Sequence, residues 1–364
     1  MSAQKAYKNE LEPRLRAATD YEAKLDLLRI FTREKQKAIR DFDLTGGLPL
    51  TDLFEELTAL AEAVLRGSLQ TAWNELKEYS RPSARPRGDF IVVAMGKFGG
   101  RELTYRSDLD IVFLYENAED QEIFSKLATR VISALSLLTR QGTAYAVDTA
   151  LRPSGNRGTL VSSIASFQEY HRTIGRTWER QALIKAHPLF GLSDDGTATR
   201  RVRALIEDIT YQDYDPKKIA AEIAHLRGRM ESEIARERPG RYNLKTGRGG
   251  LVDVEFAAQF LQLAYGSKHP KIRTSNTISA LQALAAEGIL EVSLAETWER
   301  SYLFLRGVET RLRLVLDQPA DDLVEGAEWL KELESRFYGG ERLIPQVIEA
   351  RESIRSAYER VMRA

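Results

Sequence analysis

The sequence predicts a mainly α-helical chain with one small mixed α/β unit set into it. Three observations carry this. Apolar residues recur at helical spacing over most of the length. Three short apolar runs of strand character are confined to residues 90–151. The loop between the first two holds Gly96, Gly99 and Gly100.

The elements follow in order. Residues 21–42 place Leu25, Leu28, Phe31, Ile39 and Phe42 among charges, a helical stripe that breaks at Leu44-Thr45-Gly46-Gly47-Leu48-Pro49. Asp52, with Glu55 three residues on, reads as a capping box opening a helix with Leu53, Leu57, Leu60 and Val64 on its apolar face. Residues 80–88, with two prolines, a glycine and three arginines, read as an exposed connection. Residues 90–95 and 108–115 are short apolar runs expected as buried strands. Residues 121–139 return to helical spacing through Phe124, Leu127, Val131, Leu135 and Leu138, and 143–151 is expected as a third strand. From about residue 160 the pattern is helical again, with segments at 216–237, 252–265, 274–287, 294–316 and 341–362. Long helices joined by short loops predict an antiparallel bundle.

Composition narrows the function. A length of 364 residues fits two or three domains. Lys+Arg and Asp+Glu are both 53, so there is no basic surplus of the kind a nucleic-acid or membrane-surface binder shows. With no cysteine, disulfides, zinc–thiolate sites and Cys nucleophiles are excluded. The four histidines are widely spaced and form no metal cluster. No apolar run approaches a membrane span, and the start lacks a signal-peptide core, which points to a cytoplasmic protein.

The chemistry concentrates in residues 95–110, where a strand enters the glycine loop and the next strand opens with Asp108-Leu109-Asp110. Residues i and i+2 of a strand share a face, so Asp108 and Asp110 stand side by side while Leu109 and Ile111 face the core. Carboxylates held this close repel, and a divalent cation such as Mg²⁺ offsets the repulsion. Gly99-Gly100 is expected to let backbone N–H groups approach a phosphate. Asp148 lies among Ala146, Val147 and Thr149 in the expected third strand, where an acid is costly unless paired or metal-bound. Arg152, shortly after it, is placed to meet a triphosphate.

The stretch Gly96-Lys97-Phe98-Gly99-Gly100-Arg101-Glu102-Leu103 with Ser107-Asp108-Leu109-Asp110 resembles the glutamine synthetase adenylyltransferase family. So do Leu151-Arg152-Pro153-Ser154-Gly155, the run from Trp178 to Ala186, and Gly249-Gly250-Leu251-Val252-Asp253-Val254-Glu255-Phe256. The resemblance spans about residues 25–315. It implies a polymerase-beta-like nucleotidyltransferase fold followed by a helical bundle. The expected domains are an N-terminal helical segment (1–88) packing on the catalytic unit, a nucleotidyltransferase domain (89–215) and a C-terminal bundle (216–364). Family members usually carry two such units, one adding AMP to a tyrosine of glutamine synthetase and one removing it by phosphorolysis. This chain holds one. Ser-Asp-Leu-Asp, Leu-Arg-Pro-Ser-Gly and Gly-Leu-Val-Asp-Val-Glu-Phe resemble the adding unit. Phe98 replaces a common Leu, and Thr149-Ala150 interrupts a run that elsewhere supplies an arginine.

The resemblance therefore implies Asp108, Asp110 and Asp148 as catalytic ligands of two Mg²⁺ ions, with ATP as substrate. It implies Gly96, Lys97, Gly99, Gly100, Ser107 and Arg152 around the nucleotide. Trp178 is expected to be a packing residue. Glu179, Arg180 and Lys185 are either phosphate contacts or helix-surface ion pairs. Lys245 and Arg248 flank a loop expected to meet the triphosphate; Asp253 and Glu255 either face the site or offset a helix dipole. Glutamine synthetase is the implied protein substrate, with the PII signal protein and glutamine as effectors. Two readings compete: phosphorolytic removal of AMP from adenylylated glutamine synthetase, forming ADP, and a catalytically silent regulatory module, against which retention of all three aspartates argues.

Overall fold

The computed structural model describes residues 2–80, 86–193 and 195–363. Residues 81–85 of the expected connection lie outside the described residues. The chain forms two compact units, the first reaching to Ile209 and the second beginning at Thr210.

The first unit opens with three helices, α1 (Ala3–Ala17), α2 (Tyr21–Leu44) and α3 (Leu50–Ser80). Helix α1 was not foreseen, because only Leu11 and Leu15 mark its buried face. It docks where α3 carries Gly67, whose missing side chain leaves room for Leu11, Leu15 and Leu28. Helix α3 buries Leu53, Leu57, Leu60 and Val64 as its spacing predicts. It starts before Asp52, however, so that residue lies in the first turn rather than at the N-cap. Glu55 is turned instead to Arg101, 2.7 Å away.

The strands are β1 (Phe90–Ala94), β2 (Leu109–Tyr115), β3 (Val147–Asp148), β4 (Val161–Ser163) and β5 (His187–Gly191). The short turn α4 (Gly96–Gly99) joins the first two, and α5 (Gln121–Ser136) follows β2. Helices α6 (Ile164–Thr173) and α7 (Thr177–Leu183) precede β5, and α8 (Thr197–Thr210) follows it. The sheet runs β3-β2-β1-β5. β1 is antiparallel to β2 and β5, while β3 and β4 both pair parallel with β2 along one edge. β4 and β5 correct the reading of everything beyond residue 160 as helical. They are three and five residues long, too short for a period to register.

The third strand is also shorter than the expected 143–151. The amides of Ala144 and Tyr145 bond back to the Leu135 carbonyl at 2.9 and 3.1 Å, which draws that end onto α5. At the other end Ser154 and Gly155 are left-handed and turn the chain away. Alternation along β2 puts Asp110, Val112 and Leu114 on one face. Val112 and Leu114 pack there with Ile91, Val93, Phe167, Leu183 and Val202. Asp110 is thus the polar end of a face whose remainder is core.

His171 in α6 is buried edge-on to Phe167 and Tyr170, and neither ring nitrogen has a hydrogen-bond partner. Burial pushes its pKa down to about 4 from 6.5. As pH falls below 6.5 the unfolded chain takes up a proton that the folded one refuses. Its stabilising contribution is therefore lost between pH 6.5 and 4, by up to about 3 kcal/mol. Denaturant midpoints at pH 7 and 4.5 should differ less for His171→Phe than for the parent.

The second unit holds α9 (Pro216–Arg229), α10 (Leu251–Tyr265), α11 (Thr277–Ala286), α12 (Val292–Leu316), α13 (Glu328–Phe337) and α14 (Leu343–Arg363). Strands β6 (Arg241–Asn243) and β7 (Asp322–Val324) form an antiparallel pair. The core is built on α12, where Trp298, Tyr302, Leu305 and Leu312 are buried and Leu294 and Val315, on the same apolar stripe, are half-buried. Helix α9 runs into a π-helical stretch, Met230–Ala235, ending at left-handed Arg236 (φ 46°). Mainly α with one small mixed sheet is thus the observed class. Among the described residues no helix is long and apolar enough to cross a membrane.

Candidate active site

The site sits where β1 hands over to α4 and β2 begins. Parallel pairing sets Leu109 opposite Val147 and Asp110 opposite Asp148, fixed by the Leu109 amide on the Ala146 carbonyl at 2.9 Å. Asp108 lies two residues before Asp110, on the same side. Asp108, Asp110 and Asp148 each offer an oxygen within 4.8 Å of the others', an arrangement suited to a metal ion. Asp108 and Asp148 are exposed and Asp110 is half-buried.

That exposure corrects the argument by which Asp148 was found. Its carboxylate does not lie in an apolar interior and incurs little burial cost. What places it is register with Asp110, and its Oδ1 accepts from the Ala150 amide at 2.7 Å.

The glycines act differently from expectation. The Gly99 amide donates to the Met95 carbonyl at 2.8 Å and the Gly100 amide to that of Gly96 at 3.0 Å, so both are committed inside the turn. A side chain at Gly99 would run into the carbonyls of Lys185 and Ala94. Gly96 is left-handed (φ 52°), and a side chain there would meet the Asp110 carboxylate. Gly96 is the part of the turn beside Asp110, and Lys97, next in the chain, is half-buried.

Residues 101–107 carry the chain to Asp108 through left-handed Arg101 and Arg106. Arg101 is gripped by Glu55 and Glu62 of α3. Glu102 forms a buried ion pair with Lys185, 2.7 Å long. The Tyr105 hydroxyl donates to Asp43 at 2.9 Å. Ser107 closes the turn on Thr104, its Oγ accepting from the Thr104 amide at 3.1 Å. Lys185 thus anchors the loop from beneath rather than forming a surface pair. Glu102, Asp43 and Glu62 were missed; the one available signal was that acids and arginines crowd so close to a glycine pair.

Arg152 points back into its own loop, donating to the Thr149 carbonyl at 2.7 Å and to Thr149 Oγ1 at 2.8 Å. The missing arginine at 149–150 is not replaced by it; Arg152 shapes residues 149–158. Arg180 donates to the His171 carbonyl at 3.1 Å. Glu179 is buried and accepts from the Tyr170 hydroxyl at 2.6 Å and the Arg176 amide at 2.8 Å. It is not on a solvated helix face. Trp178, expected to pack, is 41% exposed.

The remaining expected residues belong to the second unit. Asp253 is fully buried, paired with Arg227, and accepts from the Gly249 amide at 2.9 Å. It lies in the first turn of α10, as a helix-dipole contact would, and is also half of an internal ion pair. Glu255 accepts from the Tyr302 hydroxyl at 2.9 Å. Lys245 is held through its backbone, its amide on Asn243 Oδ1 at 3.2 Å and its carbonyl accepting from Val252 at 3.0 Å.

Comparison with known proteins adds to this geometry. Residues 1–202 match the glutamate-ammonia ligase adenylyltransferase family, and residues 218–360 match the GlnD PII-uridylyltransferase family. A bifunctional glutamine synthetase adenylyltransferase/adenylyl-removing enzyme of Thioalkalivibrio sulfidiphilus is 34% identical over 94% of this chain and 35% of its own length. The enzyme of the same description from Vibrio parahaemolyticus is 32% identical over 88% of this chain and 35% of its own. The chain spans about a third of the length of these relatives.

Proposed function

The chain belongs to the glutamate-ammonia ligase adenylyltransferase family, and from that membership we propose that it transfers AMP from ATP to a tyrosine hydroxyl of glutamine synthetase in the cytoplasm. The observation that carries the reading is the convergence of three carboxylates through strand register. It supports a nucleotidyltransferase centre over a silent module, which has no reason to keep like charges together.

Asp108, Asp110 and Asp148 are a donor set of hard oxygens, suited to two Mg²⁺ ions. Bound there, Mg²⁺ neutralises triphosphate charge and favours the ionised form of an incoming hydroxyl. Asp148, exposed and at the end of its short strand, accepts the tyrosine proton. The tyrosine oxygen forms a bond to the α-phosphorus as the bond to the β-phosphate oxygen breaks, and pyrophosphate leaves. Gly96 and Lys97 lie against the phosphates, the glycine admitting them beside Asp110. Gly99, Gly100 and Ser107 hold the turn's shape, and Arg152 holds the loop behind Asp148. Lys185 positions Asp108 through Glu102, while Arg180, Lys245, Asp253 and Glu255 support the two units from within.

The relatives' description names glutamine synthetase as what they modify. The match of the second unit to a PII-uridylyltransferase family favours the PII protein as an effector, and glutamine is proposed beside it on the motif resemblance alone. The adding direction rests on the motif variants at 107–110, 151–155 and 249–256. The test supplies AMP-modified glutamine synthetase and Mg²⁺ with either pyrophosphate or phosphate. We expect ATP to form with pyrophosphate; ADP formed with phosphate alone would show the removing reaction instead.

A further inference from the structure

The second unit contains a cavity of about 440 Å³ whose wall carries Arg238, Arg241, Arg248, Arg351, Arg355 and the ring of Tyr242. Its size falls in the range of small-molecule sites. Guanidiniums facing one space repel, so the placement of their counter-charges decides what the cavity is for.

Among the described residues two carboxylates, Glu237 and Glu352, line it. Glu237 takes Arg351, both oxygens 2.7 Å from one nitrogen. The other partners do not line the cavity. Asp322 holds Arg241 at 2.5 Å, and Glu359 is shared by Arg248 at 3.0 Å and Arg355 at 2.8 Å. Arg355 also reaches Glu231 at 3.2 Å and Asp253 at 3.4 Å. Arg238 makes no side-chain ion pair among the described residues. A guanidinium has five N–H donors, and one carboxylate occupies at most two. The acids that hold Arg241, Arg248 and Arg355 stand outside the lining, so these arginines keep donors that their acids do not take, and Glu237 offsets Arg351 at the wall itself.

The wall is also rigid. Arg351 is 7% exposed, lies 5.6 Å from the Tyr242 ring centre, and donates to the Arg248 carbonyl at 2.9 Å. Gly249 is left-handed (φ 72°), and a side chain there would strike the Arg351 carbonyl. The π-helical stretch and left-handed Arg236 that end α9 deliver Glu237 and Arg238 to the wall. Such backbone is costly and concentrates at functional sites.

We infer that this cavity binds a small metabolite through an oxyanion group, phosphate or carboxylate, gripped by guanidinium forks. Its ligand needs no divalent metal, unlike anything held by the aspartates.

The test titrates the 364-residue chain by calorimetry in EDTA at constant ionic strength, with pyrophosphate and citrate as probes and chloride as control. Saturation by pyrophosphate identifies a phosphate ligand, and saturation by citrate a polycarboxylate. The double variant Arg238→Gln, Arg248→Gln should weaken binding at least about tenfold, while Asp148→Asn leaves it unchanged. If the double variant melts below the parent without probe, Arg238→Gln alone decides, since that side chain supports no ion pair. Saturation by neither probe, or binding lost in Asp148→Asn but kept in the arginine variant, overturns the assignment.

Discussion

Asp148→Asn should lower AMP transfer at least about a thousandfold and leave the melting temperature equal to or above that of the parent. The two effects have one origin. Asp148 is exposed and held opposite Asp110 by register, not by apolar packing. Removing its charge relieves repulsion in the metal-free protein. The asparagine Oδ1 can still accept from the Ala150 amide, so the turn behind the strand survives. On the proposed mechanism, what is lost is one anionic oxygen of the set suited to a cation and the group that takes the tyrosine proton. Incorporation of label from α-labelled ATP into glutamine synthetase, with calorimetric melting alongside, checks both. Near-normal transfer with intact Mg²⁺ dependence would remove the aspartates from the mechanism.

Gly99→Ala should be the most damaging single-methyl change in the first unit. Helix propensity alone favours alanine by about 1 kcal/mol. That gain is overtaken because the new methyl meets two main-chain carbonyls, those of Ala94 in β1 and Lys185 just before β5. Neither can swing aside as a side chain would: one belongs to β1 and the other to the turn that leads into β5. Overpacking of this kind costs about 1–3 kcal/mol, toward the upper end where main chain is struck on two sides. Activity should fall with it, since the same turn fixes Gly96 beside Asp110. Urea denaturation of parent and variant gives the comparison; an unchanged midpoint would mean that β1 and β5 can separate at little cost.

Much of this was legible because the relevant spacings are local. Asp108 and Asp110 share a face through the two-residue period of a strand, which any register preserves. The long amphipathic helices α3 and α12 show their buried faces in the sequence for the same reason. What failed depended on partners far along the chain. Lys185 reads as a surface cation until Glu102, 83 residues earlier, is set beneath it. Glu179 reads as a helix-face acid until Tyr170 closes on it. Gly99 and Gly100 read as a phosphate cradle because glycine in a loop signals backbone freedom, but not whether that freedom serves a ligand or a close-packed carbonyl. Strands β4 and β5 are shorter than any window that detects a period, and pairing with β2 and β1 alone makes them strands.

The strand bearing Asp148 is two residues long. An element that short has little cooperative reserve, and it can lift from its neighbour at a small fraction of the cost of global unfolding. Each such excursion carries one carboxylate away from the other two. Whatever the three grip together is then also the clasp that keeps the dipeptide docked, and mass action raises the cost of opening as that occupant becomes more abundant. Empty and loaded forms would differ in how often Val147 and Asp148 breathe, with the rest of the sheet unaware of the change.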